Sequence, residues 1–388
     1  MIHFKKKYDK QSSDIKTICV DARVLEWKRG ALANFLLSIL PKIADRSDLN
    51  LVLLFQNFIP KEEWLNNKNI TCILVKGPSL FLRNKTLTEQ LIFPFYLLKI
   101  KPDLYIGTAY TVPIFPLKTK KIVALWDISY TTHPKHYGKF RGKILHFTSK
   151  LSSIISQSVI TCSDYDAKLI HQFYKKSLNN IKVLDLGVHQ RFFEKITKAN
   201  MERVKIKYKI NGDYILALGV IYNRRKIDKI IQGFNGIKDK YPDIKLVIIG
   251  RMERHLNLET RNLIHSLSEN KNIIYFDWIE NNEIAQIYAG ALYYICVSTL
   301  DGESIMLREA MACGTPVITS SLLMPAVNNH ALEIKNLDDI NEWKSVLTRS
   351  IIDNEKRHSL SKTGENWAKT KTWKKTYEDF ESFLNTQL

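Results

Sequence analysis

Short apolar runs bounded by turn residues recur along the chain, and longer stretches with helical spacing separate them. Residues 17–20, 51–55, 71–75, 104–106, 121–125, 158–161 and 182–184 read as strands, with 33–43 and 144–155 among the helices between them. Runs this short and this continuously apolar suit strands covered on both faces, so the alternation predicts a parallel sheet flanked by helices. The pattern then restarts, with strands at 214–218, 245–249, 273–276, 293–297 and 316–319 and helices at 226–238, 257–268, 282–289 and 304–312. Two consecutive α/β domains follow, joined near residues 191–211, as expected for 388 residues, more than one core usually organises. Ligands of such sheets collect outside the carboxyl ends of the strands, which predicts a binding cleft between the two domains. Beyond Asp353 the chain is polar and Lys-rich, and Tyr377, Phe380 and Phe383, each three residues apart, predict a closing helix.

The formal charge of +19 is unevenly placed. Residues 1–190 hold 29 Lys and Arg against 14 Asp and Glu, whereas residues 191–388 hold 29 against 25. The basic N-terminal half attracts phosphates, whether of nucleic acid, anionic lipid or substrate, and charge does not choose among them. No run approaches the ~20 apolar residues of a membrane-spanning helix. The first ten residues lack the apolar segment of a secretory signal. A cytoplasmic protein is expected, with peripheral contact at the inner face of the cytoplasmic membrane through the basic half. Cys19, Cys72, Cys162, Cys296 and Cys313 are scattered without paired spacing and read as free thiols.

The most informative stretch is 293–320, YYICVSTLDGESIMLREAMACGTPVITS. A buried strand ends at Val297, a polar turn follows with Asp301 and Gly302, and a helix is predicted to begin near Ser304. Free amides of residues Gly302, Glu303, Ser304, Ile305, Met306 and Leu307 then form an anion site strengthened by the helix dipole. Asp301 and Glu309 flank it, and either carboxylate accepts bonds from hydroxyls. Taken alone, Glu309 reads first as a surface carboxylate on a helix, and only its register with the Gly302 loop and Gly314-Thr315-Pro316 favours a site.

This segment resembles the E-x7-E signature of glycosyltransferase family 4, retaining enzymes of the GT-B fold. Gly302, Glu309, Ala310, Met311, Ala312, Cys313, Gly314, Pro316 and Val317 match in register, with Asp301 in place of the first Glu, Glu303 and Ser304 in place of Phe-Gly, Met306 in place of Pro and Arg308 in place of Leu. Residues 215–231, ILALGVIYNRRKIDKII, resemble the family's strand-turn-helix, putting Arg224 and Arg225 where the family holds the donor diphosphate. A guanidinium fork suits that role, since it binds two phosphate oxygens at once. Trp278 and Ile279 fall where the family contacts the nucleotide base, and Gly30 at the second glycine of its first loop. Residues 124–134, ALWDISYTTHP, resemble the loop over the reacting sugar, with Asp127 retained and Trp126 where His is usual. Residues 159–164 and 183–193 resemble the segments that end the first domain.

The resemblance implies an α/β GT-B fold of two Rossmann-like domains facing a central cleft. Its parts are an acceptor domain at 1–190, a nucleotide-sugar domain at 191–370 and a C-terminal helix at 371–388 packing back toward the first domain. It implies a hexosyltransferase of cell-surface glycan synthesis, with Asp301, Glu309, Asp127 and Arg224 as catalytic residues. The partners are a nucleotide-diphosphate sugar, GDP-mannose first, and a saccharide or lipid-linked acceptor. No cofactor or metal is required: Asp164 and Asp166 spell D-x-D, but after Ser163 they read as a helix N-terminus. Two other readings are a nucleotide-sugar epimerase of the same fold and a basic nucleic-acid-binding protein. The second lacks a recognition helix or RNA-binding aromatic signature, so nucleic acid is not an expected partner.

Overall fold

A computed structural model of the chain describes residues 15–388 except 27–29, 138–139 and 301–302, with side chains also undescribed at 30, 31, 135, 136, 268 and 269. Two compact units result: one runs up to Leu186 and regains Trp373–Leu388, and the other is Gly187–Thr372.

The first unit is built on β1 (Lys16–Asp21), β2 (Leu49–Phe55), β3 (Ile70–Leu74), β4 (Leu104–Gly107), β5 (Lys120–Ala124), β6 (Ser158–Thr161) and β7 (Ile181–Val183). All pairings are parallel, in the order β3-β2-β1-β4-β5-β6-β7. One face of the sheet is covered by α1 (Gly30–Ala44), whose Phe35, Leu36, Ile39, Leu40 and Ile43 are buried at the 3.6-residue period. On the other face lie α2 (Phe93–Ile100), which buries Phe93, Tyr96, Leu97 and Ile100, and α3 (Arg141–Ile155). The helix Asp164–Tyr174 opens on Ser163, which accepts from the Asp166 amide at 3.0 Å, so Asp164 and Asp166 sit in its first turn.

The second unit uses β8 (Tyr214–Leu218), β9 (Lys245–Ile249), β10 (Ile273–Phe276), β11 (Tyr293–Cys296), β12 (Val317–Ser320) and β13 (Ala331–Ile334), in the parallel order β10-β9-β8-β11-β12-β13. Its helices include α4 (Ile227–Asn235) and α5 (Ile305–Ala312). β13 has no counterpart among the expected strands. It is a four-residue edge strand with only alternate residues buried, a pattern too short to stand out from a turn.

The predicted closing helix is α6 (Trp373–Gln387). It buries Phe380 and Leu384 in the core of the first unit, with the Phe380 ring edge-on to Phe35 at 5.7 Å. Its end is pinned twice: Lys120 donates to the Gln387 carbonyl at 2.9 Å, and Ser158 donates to Gln387 Oε1 at 2.7 Å. Apolar packing places this helix, and the polar bonds fix its rotation.

Candidate functional site in the second unit

In the second sheet the chain moves from β8 outward to β9 and β10, then returns to place β11 on the other side of β8. The carboxyl ends of β8 and β11 therefore border a topological switch point, where loops leave in opposite directions and open a crevice. A cavity of ≈ 20 Å³ lies there, lined in part by Gly219, Arg225, Cys296 and Val297.

Gly219 follows β8 with φ +123° and Gly250 follows β9 with φ +153°. Such angles strain any residue carrying a Cβ. A Cβ on Gly250 would sit 2.0 Å from the Gly219 carbonyl oxygen, and one on Gly219 would sit 2.8 Å from the Met306 thioether. The two glycines bring the loops after β8 and β9 together and let Met306 of α5 close over them.

The loop after Gly219 carries both predicted arginines. Arg225 Nη1 donates to Cys296 Sγ at 2.8 Å, tying this loop to the end of β11. The Arg224 guanidinium lies 4.0 Å over the Tyr222 ring, and its carbonyl accepts from the Thr299 amide at 3.2 Å. Cation–π stacking on one guanidinium face orients the fork without removing its charge.

Helix α5 starts one residue later than predicted, with Ser304 as its N-cap. Not all of the expected amides are open: Leu307 N donates to the Ser304 carbonyl at 3.1 Å, and Ser304 N donates to Glu303 Oε1 at 3.0 Å. The amides of Ile305 and Met306 have no hydrogen-bond partner among the described residues. Glu303, predicted to bind donor, turns back onto its own helix, where Arg308 Nη2 donates to Glu303 Oε2 at 2.8 Å. Both side chains of that pair are largely buried, and Arg308 also lies 5.6 Å over the Trp367 ring. The pair thus works as a clamp on the loop end. Asp301 and Gly302 lie outside the described residues.

Glu309 is half-buried on α5, and no described residue forms a hydrogen bond with its carboxylate. Burial raises its pKa to about 7, with Arg191 pulling the other way. Burial and then the Glu309 charge also raise the Cys313 thiol. An ionised carboxyl in this setting has its acceptor positions open to incoming hydroxyls. Arg191, absent from the predicted site, is the cation that faces it; it sits in the short helix Gln190–Phe192, which packs on α5. Its only sequence signal is a lone arginine in the segment read as the end of the first domain.

The remaining expectations separate. Trp278 is 61 % exposed after β10, whereas Ile279 is buried in the core and offers a base no surface. In the first unit Gly30 is the first residue of α1, and residues 27–29 before it lie outside the described residues. Trp126 is buried there, edge-on to Phe35 at 5.0 Å, with Nε1 donating to the Thr108 carbonyl at 3.1 Å. That is a correction: its stacking face and N–H, expected to meet the donor, are used by the core. Asp127 beside it accepts from Ser129 N at 2.9 Å and from the Tyr110 hydroxyl at 3.1 Å, the arrangement of a turn cap.

The first sheet has its own switch point, between β1 and β4. Arg23 donates to both oxygens of Asp21 at 2.8 and 2.6 Å and lies 3.4 Å from Glu89 Oε2. Thr111 Oγ1 donates to that same oxygen of Glu89, while Oε1 is buried without a partner. A cavity of ≈ 120 Å³ borders these groups and Lys85, Thr86, Thr111 and Thr148.

Two doubly wound parallel units, the second with a glycine-edged switch point, paired arginines and a helix N-terminus at its rim, define the GT-B fold. Residues 200–367 match the model of the family described as glycosyl transferases group 1. O-antigen chain mannosyltransferase B of Escherichia coli is 21 % identical over 358 residues, covering 88 % of this chain and 92 % of that one. O-antigen chain mannosyltransferase RfbU of Salmonella typhimurium is 24 % identical over 283 residues, covering 72 % of this chain and 64 % of that one. The fold is that of Anabaena HepE in complex with UDP-glucose, with a TM-score of 0.74 at 14 % identity, over 96 % of this chain and 100 % of that one.

Proposed function

We propose that the chain moves a hexose, mannose first among the choices, from a nucleoside-diphosphate sugar to a saccharide or lipid-linked acceptor in surface-polysaccharide synthesis, with retention at the anomeric carbon. The observation that carries this reading is the meeting of Arg224, Arg225 and the α5 N-terminus at one switch point, with the Glu309 carboxylate on the same helix. The names of the O-antigen mannosyltransferases favour the sugar and the pathway class.

In this reading the diphosphate lies against the two guanidinium groups and the Ile305 and Met306 amides. Charge developing on the leaving oxygen is met by donors already in position, so no metal or cofactor is needed. Glu309 and Asp301 take sugar hydroxyls. The bond from C1 to the diphosphate oxygen breaks, the acceptor oxygen bonds to C1 on the same face, and the acceptor proton passes to the departing diphosphate. The cavity beside Asp21, Arg23 and Glu89, with apolar walls and a few polar groups, suits a sugar ring and hydroxyls of the acceptor. The setting is the cytoplasm, at the inner face of the membrane.

Thermal shift with GDP-, UDP-, dTDP- and CMP-sugars identifies the donor, because a ligand of the folded state raises its melting point. Transfer is then read as nucleoside diphosphate released only when acceptor is present, and the product's anomeric coupling by NMR gives the stereochemistry. Loss of the sugar without any acceptor requirement, or an inverted product, overturns the proposal.

A further inference from the structure

Helix α3 is amphipathic in the inverted sense. Its buried positions are Gly142, Ser149, Ser152 and Ser153, small or polar residues. Ser152 Oγ accepts from the Val112 amide at 3.1 Å, and Lys176 donates to the Ser153 carbonyl at 3.0 Å, so this face is held by polar bonds and close approach. The opposite side carries Phe140, Ile144, Phe147, Leu151 and Ile154, at alternating spacings of four and three residues and between 38 % and 81 % exposed. At 1.5 Å per residue the stripe runs about 21 Å along the helix. Water is a poor partner for it, and a contiguous patch of this kind marks an interaction surface.

What covers it follows from the flanks. Arg141, Lys143 and Lys150 border the stripe, and the helix contains no Asp or Glu. A second copy of the same helix would bring like charges together, whereas anionic headgroups would neutralise them. Phe95 and Leu98 are exposed on the outer side of α2, which packs on the same hydrophobic cluster as Leu145 and Ile155 of α3, and so extend the apolar surface on that side of the sheet. No helix among the described residues is long and apolar enough to cross a membrane. An apolar stripe edged by bases on such a helix is the form that lies in the plane of an interface.

We propose that the outer face of α3 docks the first unit on an anionic phospholipid bilayer, with Phe147, Leu151 and Ile154 entering the acyl boundary and Arg141, Lys143 and Lys150 at the headgroups. This deepens the reading of a lipid-side acceptor and yet stands without it, since docking needs no sugar. The same helix lines the cavity beside Arg23 and Glu89 with Ile144, Leu145 and Thr148, so a chemical group presented from the bilayer would reach that cavity at its edge.

The test is co-sedimentation of the full chain with phosphatidylglycerol-containing vesicles and with pure phosphatidylcholine vesicles. Wild type binds the anionic vesicles, and a Phe147→Ser, Leu151→Ser, Ile154→Ser variant loses roughly tenfold or more in affinity. These side chains are exposed, so its melting point and its nucleotide-sugar binding stay at the wild-type values. A Phe147→Trp variant gives a blue-shifted emission on adding anionic vesicles. Vesicle binding unaffected by the triple variant, an unshifted Phe147→Trp emission, or a dimer in light scattering that the triple variant dissociates would each overturn the proposal. Docking that fails while donor transfer persists removes this inference alone.

Discussion

Arg225 Nη1 and Cys296 Sγ stand 2.8 Å apart, joining the loop after β8 to the end of β11 across the switch point of the second sheet. A thiol sulfur is a weak acceptor, so this bond positions the arginine more than it stabilises the fold. Cys296→Ala should cost about 1 kcal/mol of stability and weaken donor binding several-fold. Urea unfolding and titration with the donor, run on the same preparation, separate the two effects; unchanged donor affinity would detach Arg225 from the site.

Glu309 gives the site a pH dependence. The folded chain holds its proton to about pH 7, whereas the unfolded carboxyl releases it near pH ~4.3. Between those values unfolding releases a proton, so stability falls as pH rises, and the loss is complete above the folded pKa. Glu309→Gln should match wild type at pH 4 and exceed it at pH 8, by about 1–2 kcal/mol once solvent screening of a half-buried group is allowed for. Donor affinity should move the other way, rising in wild type as the carboxylate ionises and staying flat in the variant. Parallel pH profiles of the two proteins would contradict this.

Gly250 tests the architecture beneath the site. Its φ of +153°, and the Gly219 carbonyl oxygen only 2.0 Å from where a Cβ would project, leave Ala no place without backbone movement. Gly250→Ala is expected to lower stability by about 2–4 kcal/mol. Chemical denaturation checks it, and a loss under about 0.5 kcal/mol would refute the close approach.

The buried Asp21–Arg23–Glu89 group of the first unit yields a prediction of its own. Arg23→Met leaves two carboxyls without their cation, and breaking a buried pair in this way costs about 3–5 kcal/mol. Burial already raises the Glu89 carboxyl, and the variant raises it further, so its deficit should shrink on going from pH 8 to pH 5. A deficit independent of pH would mean that Glu89 is not facing Arg23.

The positions of the strands are within reach of the sequence because buried parallel strands are written as short apolar runs, and twelve of these recur between helices; their order in each sheet is not. β13 escapes because an edge strand shows only one buried face. In the site, Arg224, Arg225 and Glu309 are legible through spacing and resemblance. Trp126 and Ile279 are misplaced because a motif locates a residue along the chain without giving the direction of its side chain: one packs on Phe35, the other enters the core. Arg191 is missed because its proximity to Glu309 is made by the fold across more than a hundred residues. The α3 stripe reads as an ordinary core helix, since apolar periodicity looks the same whether it faces protein or not.

Isothermal titration of the full chain and of Arg224→Ala with the nucleotide sugar that most raises the melting point tests the central claim most directly. The account predicts one site in the wild type and a loss of about 1.5–3 kcal/mol in the variant, the worth of a bond to a charged group. Equal affinity in the two proteins, with transfer intact, would place the donor elsewhere and contradict it.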